Sequence, residues 1–418
     1  GGNFTQLRGS YYNFNPSGTH KVIFNGTKKQ TVSFELPGTN YSYFNSLSIE
    51  NTLTDGVELL TDVYVKGELS KSTDSVILNG YRMYLAGTGK IAGNTWNSDI
   101  KFFENYTLSA ETTIGGSVYI TGGTFDLKGN NLKVKGNVIL YDGTLNINNG
   151  TLNVDGDFRQ QSENISSNGT KTYSYGSSGY LKMVNANDKV VVAGNYYVQA
   201  TIDSTNYLTN GTLEVKGNFT QISKAYYEYP NNFYATGNHI VRLSGEGLQT
   251  VSFQSTTSRF ATLDIQNYGE GINFATTYNA DQTIGNKSNA KYADGSKTGW
   301  TLESDEEFTG DLTLSGGILD LNGHKLTVNG NLIQPGGTIF VNGGTLEVTG
   351  SYKIQTSAGK DSAGILKMTN TKDTVKVAGD FVTQSSYGHS KYLTAGEMYI
   401  GGNFTQLRGS YYNFNPSG

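Results

Sequence analysis

Between Gly122 and Gln161 the chain reads GGTFDLKGNNLKVKGNVILYDGTLNINNGTLNVDGDFRQQ, and its pattern returns every twenty residues. Thr124 recurs as Thr144, Asn131 as Thr151 and Gly136 as Gly156. Apolar pairs such as Leu132 with Val134, or Leu152 with Val154, flank a single polar residue. That alternation puts the pair on one face of a strand and the polar residue on the other. Gly and Asn separate the runs and accept the positive φ of tight turns. A twenty-residue period holding two or three such strands predicts one coil of a β-solenoid, an all-β parallel β-helix.

This period overrides the usual inference of two or three domains from 418 residues, because solenoids grow by adding coils. No long stretch carries a 3.6-residue period with caps, so helix is not expected. A formal charge of -4, with 16% charged residues, argues against a nucleic-acid partner, which calls for a basic face. It equally gives no reason to expect attraction to an anionic membrane surface. No run of 18 apolar residues occurs, so no membrane insertion is expected of this segment. Cysteine is absent, which excludes disulfides and thiolate metal sites.

Longer-range repetition overlies the coils. KGNFTQ at 216–221 matches GGNFTQ at 1–6, and Gln249 to Phe253 repeats Gln30 to Phe34. Residues 313–350 match 119–156 at a constant offset of 194, and 366–368 match 181–183 at an offset of 185. The difference of nine falls in the polar stretch 162–178, read as a loop, where length costs little. Residues 401–418 are identical to 1–18, a shift of 400. The sequence therefore divides into repeat unit A (1–216), repeat unit B (217–401) and the start of a further unit (402–418). It is expected to be a little over one period of a tandem super-repeat. At twenty residues per coil, less loops, each super-repeat would stack about fifteen coils and rise ~70 Å.

Candidate chemistry is sparse. Polysaccharide-cleaving sites usually need paired carboxylates across a cleft, and the densest acidic cluster, Asp305-Glu306-Glu307, reads as a solvated loop. The four histidines, His20, His239, His324 and His389, are dispersed. His20 and His239 hold equivalent positions and read as stacked or turn-capping residues rather than ligands. No catalytic, metal or cofactor residue is assigned. The candidate surface-contact aromatics are Tyr11, Tyr12 and Phe14 in one loop and Tyr226, Tyr227 and Tyr229 in its counterpart, with Phe233 beside them. Exposed, they could stack on sugar rings or on a neighbouring filament. The favoured expectation is that these loops fold back on the solenoid flank.

The motifs GTLNV, GGTLEV and GNFTQ, joined by Gly-Asn turns, resemble bacterial secreted repeat-rich β-solenoid surface proteins, the filamentous-haemagglutinin-like adhesins and fibres. That resemblance implies a right-handed parallel β-helix, an extracellular location at the bacterial cell surface, and a role as stalk, fibre or adhesin. The expected partners are copies of the chain end to end, laterally associated filaments, and a glycan or cell surface. The expected function is structural and non-enzymatic, the alternatives being a glycan-binding adhesin and a β-helix polysaccharide-degrading enzyme.

Overall fold

Short alternating strands cannot satisfy their backbone or bury their apolar side chains alone; both needs are met when each strand pairs with its counterpart one coil away. The computed structural model shows this arrangement. It describes all residues except 10–12, 72–75, 88, 92–93, 97–98, 224–228, 256, 277, 286–289, 293–295, 298–299, 303, 357–358, 410–412 and 417–418, and the side chains of 89–91, 94–95, 290–292 and 296–297. The described residues contain no helix. They form two compact bodies, Gly1–Glu270 with Thr276–Ile284, and Gly271–Ala275 with Gly285–Gly418.

In the first body the regular block pairs at the period read from the sequence. Val118 lies opposite Val138, and Asn131–Val134 opposite Thr151–Val154. Other coils depart from twenty: Met83 pairs with Ile100, and Phe4 with Val32. Each regular coil has three sides, as in Thr144–Asn146, Thr151–Val154 and Phe158–Gln160, each pairing in parallel with the next coil. In the second body the corresponding ladders run through Lys325–Asn329, Thr345–Val348, Thr374–Val377 and Glu397–Ile400. A second ladder there joins Tyr352–Ile354, Phe381–Thr383 and Phe404–Gln406. Both bodies are thus parallel β-solenoids. The junction between repeat units A and B falls inside the first body, where Thr212–Val215 pairs onward with Ile240–Leu243.

The alternation has the packing consequence expected. Leu132, Val134, Leu152, Val154, Leu213 and Val215 are buried, with Leu326, Val328, Leu346 and Val348 the matching core of the second body. The corners carry a ladder of their own. Gly156 donates to the carbonyl of Gly136, Gly194 to that of Gly156 and Gly217 to that of Gly194. A Cβ on Gly156 would lie 2.7 Å from the Gly136 carbonyl oxygen, so this stack has no room for a side chain. The next residue adds a polar string along the axis. Asn137 Oδ1 accepts from Asp157 N, Asp157 Oδ1 from Asn195 N, and Asn195 Oδ1 from Asn218 N, all at 2.8 Å. The second body repeats it from Asp311 through Asn331 to Ser351.

The polar stretch 162–178, read as a loop, contains an antiparallel hairpin, Ser162–Ile165 against Lys171–Ser174. Its turn runs from Ser166 to Gly169, Gly169 N donating to the Ser166 carbonyl and Ser166 N to that of Thr170, so Gly169, at φ 81°, is the left-handed residue that closes a three-residue loop. The matching stretch of repeat unit B is nine residues shorter, and there a tight turn between Thr356 and Lys360 closes the gap instead.

Candidate functional site

Of the six candidate aromatics, Tyr11, Tyr12, Tyr226 and Tyr227 lie outside the described residues. Phe14 is only partly exposed and packs edge-on against Phe4, 4.8 Å between centroids and 70° between planes. Phe233 is fully buried and meets Phe219 in the same way, at 4.9 Å and 79°. The third copy, Phe404 with Phe414, has 4.8 Å and 69°. An asparagine clip accompanies each ring pair, exposed at Asn13 and buried at Asn232 and Asn413: Asn13 Nδ2 donates to the carbonyl of Leu7, Asn232 Nδ2 to that of Ile222, and Asn413 Nδ2 to that of Leu407. These phenylalanines are thereby tied into the solenoid flank, while Tyr229 is exposed.

The polar residues that attracted attention are spent on structure. Asp305 Oδ1 accepts from Lys325 N at 2.8 Å, and Glu307 accepts from the amide of Asn329. His324 Nδ1 stands 3.7 Å from Asp305. His389 is buried, and its Nε2 accepts from Leu366 N at 3.2 Å. His239 is fully buried with no hydrogen-bond partner on either ring nitrogen. Burial pushes its pKa down to about 3, so at neutral pH the imidazole is uncharged. His20, at the equivalent position, is exposed. Among the described residues no three His, Asp or Glu side chains converge as a metal site.

The most distinctive surface lies on the outward face of the first body. Register carries Tyr64 to Tyr84, Tyr84 to Lys101, Lys101 to Tyr119, Tyr119 to Ile139, Ile139 to Arg159 and Arg159 to Tyr197. Tyr64 stacks on Tyr84 at 4.5 Å and 7°, and Tyr84 on Phe103 at 5.4 Å and 26°. The first spacing follows from the ~4.8 Å rise per strand, whereas Phe103 leans back to within 6.4 Å of Tyr64, so the three rings form a cluster rather than a straight ladder. Cations interleave the rings. Lys66 sits 4.0 Å over Tyr43, Lys101 4.8 Å over Phe103, and Arg82 5.1 Å over Tyr119. Burial lowers the pKa of Lys101, reinforced by the neighbouring Arg82 charge. Burial likewise raises those of Tyr64 and Tyr84, so the phenols stay neutral.

The hairpin covers the far half of this face. Arg159 is held between Tyr173 and Tyr197, 4.0 Å from each centroid, and pairs with Asp157 at 2.6 Å. Glu163 accepts from the hydroxyls of Tyr119 and Tyr173, and Lys171 Nζ lies 2.9 Å from the Tyr119 hydroxyl. Sequence reasoning missed this face because its members are spaced irregularly. The available signal was the polar-face position of coils 63–65, 83–85, 100–102 and 118–120, repeatedly occupied by Tyr or Lys. No protein-family model, no curated protein and no solved structure matches the chain.

Proposed function

We propose that the chain is a structural segment of an extracellular bacterial filament, stalk or surface fibre, built from tandem β-solenoid super-repeats of 400 residues. The observation that carries this reading is how the repeated segment pairs. In its first copy Phe4–Gln6 pairs with Gln30–Phe34. In its third copy Phe404–Gln406 pairs with the preceding coil, Phe381–Thr383. The intermediate copy shows both contacts at once: Phe219 lies between Tyr196 and Val251. One motif, with the same ring pair and the same asparagine clip, is therefore compatible with a coil on either side. Repetition then extends the backbone ladders and the apolar core without a new interface, which suits a load-bearing fibre.

The test is length. A chain of residues 1–418 followed in frame by 19–418 is expected to form particles longer than those of 1–418, by a constant increment for each further super-repeat, in negative-stain electron microscopy. Separate beads, or no increment, would remove the reading. Immunogold labelling of the native protein on intact cells tests its location.

A further inference from the structure

The repeat units meet at two kinds of junction: A to B, which lies within the first body, and B to the A that follows. Their inward sides are alike. At the first, Thr212–Val215 pairs with Ile240–Leu243, so Leu213 meets Val241 and Val215 meets Leu243, all four buried. Asn238 N donates to the Thr209 carbonyl and Ile240 N to that of Gly211. His239 between them is fully buried. The counterparts in unit B, 185 residues on, include Leu393, Gly396 and Met398. With Met368 and Phe414 these line an open apolar pocket of about 390 Å³. His20, Val22 and Phe24 correspond to His239, Val241 and Leu243. Residues 401–418 repeat 1–18, so in the tandem reading proposed above, on which this inference rests, the coil that covers the pocket is 19–24 of the following super-repeat. Register then sets Glu397 against Lys21, Met398 against Val22, Tyr399 against Ile23 and Ile400 against Phe24.

The outward sides differ. From A to B, Glu214 stands opposite Arg242, which is also ion-paired with Asp264 at 2.8 Å. From B to A, exposed Glu397 faces exposed Lys21. Tyr399, 54% exposed, faces Ile23, 47% exposed, so two open apolar side chains cover each other. Exchanging the partners spoils both junctions. A followed by A sets Glu214 against Ile23, and B followed by B sets Glu397 against Ile240. Side chains opposed on paired strands lie ~4.8 Å apart. Opposite charges stabilise at that distance, whereas a carboxylate against an isoleucine gains no partner and loses water. The inward residues are interchangeable apolar side chains, so the outward pairs are what distinguishes one unit from the other. Chains of similar repeats need such a distinction, because out-of-order pairing is a characteristic failure of their folding.

We propose that Glu214 with Arg242, and Glu397 with Lys21 of the following super-repeat, are specificity pairs that make units A and B alternate. The pocket beside Met398 thereby receives the first coil of unit A in preference to that of unit B.

The experiment is hydrogen–deuterium exchange of strand 397–400 in the chain 1–418 followed in frame by 19–418, where B meets A. Exchange there is expected to be about tenfold slower than in 1–418 alone. Glu397→Lys in the first super-repeat, or Lys21→Glu in the second, should each speed it about fivefold, and the two together should restore it. A chain of 1–400 followed by 216–418, which sets B against B, should exchange about fivefold faster at this strand than the chain in which A follows. Equal exchange with either successor overturns the proposal, and so does a double charge reversal no slower than the single ones. Particles that lengthen in the microscope while either of those results is obtained leave the filament reading standing and remove only the pairing rule.

Discussion

The two bodies share everything that builds a coil and differ in what the coils display. Asp126 bonds Asn148 at 3.0 Å in the first, and the aligned Asp320 bonds Asn342 at 3.0 Å in the second. The glycine stack of Gly136, Gly156 and Gly194 returns as Gly330, Gly350 and Gly379. Yet the outward ladder is aromatic and cationic in the first, and Thr, Ile, Lys and Val in the second. Inward and corner positions are constrained by close packing along the axis, where one added methyl meets a neighbouring backbone. Outward positions are not so constrained, which leaves them free to diverge.

The comparison breaks most severely if coils are not the structural unit. Deleting residues 325–344, one full turn by the Lys325 to Thr345 register, should leave a folded protein. Deleting 325–334 should abolish folding and cause aggregation, because it removes two of that coil's three strands, Lys325–Asn329 and Leu332–Ile333, and leaves their neighbours' backbone groups unpaired. Circular dichroism and light scattering read both, and equal tolerance would refute the solenoid account of the second body.

Next come the shared positions. Leu152→Ala and the aligned Leu346→Ala each empty a fully buried site and should each cost about 2–5 kcal/mol. Gly156→Ala and Gly350→Ala should each cost about 1–3 kcal/mol through overpacking against the preceding glycine. Denaturant unfolding with a probe in each body measures all four. A large effect in one body and none in the other would deny that the corner stack has the same role in both.

A pH dependence sharpens the contrast further. His239 has a folded pKa lowered to about 3 by burial, below the ~6.5 of an unfolded imidazole. The unfolded chain therefore binds the extra proton first, and stability falls as pH drops from about 6.5 towards 3. His239→Leu should flatten that part of a melting-temperature profile. An unchanged slope would mean that the imidazole is solvated.

The smallest effect belongs to the hairpin. Arg159→Ala removes the guanidinium between Tyr173 and Tyr197 and should cost about 1 kcal/mol, with faster amide exchange confined to 162–174. Lys353→Ala, its counterpart in the second body, should show neither change. Faster exchange throughout the first body would instead make Arg159 part of the solenoid's foundation.

Parallel coils, the faces of their strands and the glycine-asparagine corners were legible in the repeat, because a period of two within a period of twenty admits few other folds. The Asn168-Gly169 hairpin was legible too, had its turn signal been weighed against the surrounding polarity. The inward placement of Phe14 and Phe233 was foreseen only as the more favoured of two options for their loops; the clips by Asn13 and Asn232 accomplish it.

Local pattern thus specified which side chains point inward, since facing depends only on a residue's neighbours along the strand. It did not specify which outward side chains meet. Tyr64, Tyr84 and Phe103 become one ring cluster through coil lengths that vary from turn to turn, and Tyr119 meets Glu163 only after the hairpin folds back. Those contacts depend on the sum of all intervening loops, a quantity that backbone pairing across coils sets and no single segment encodes.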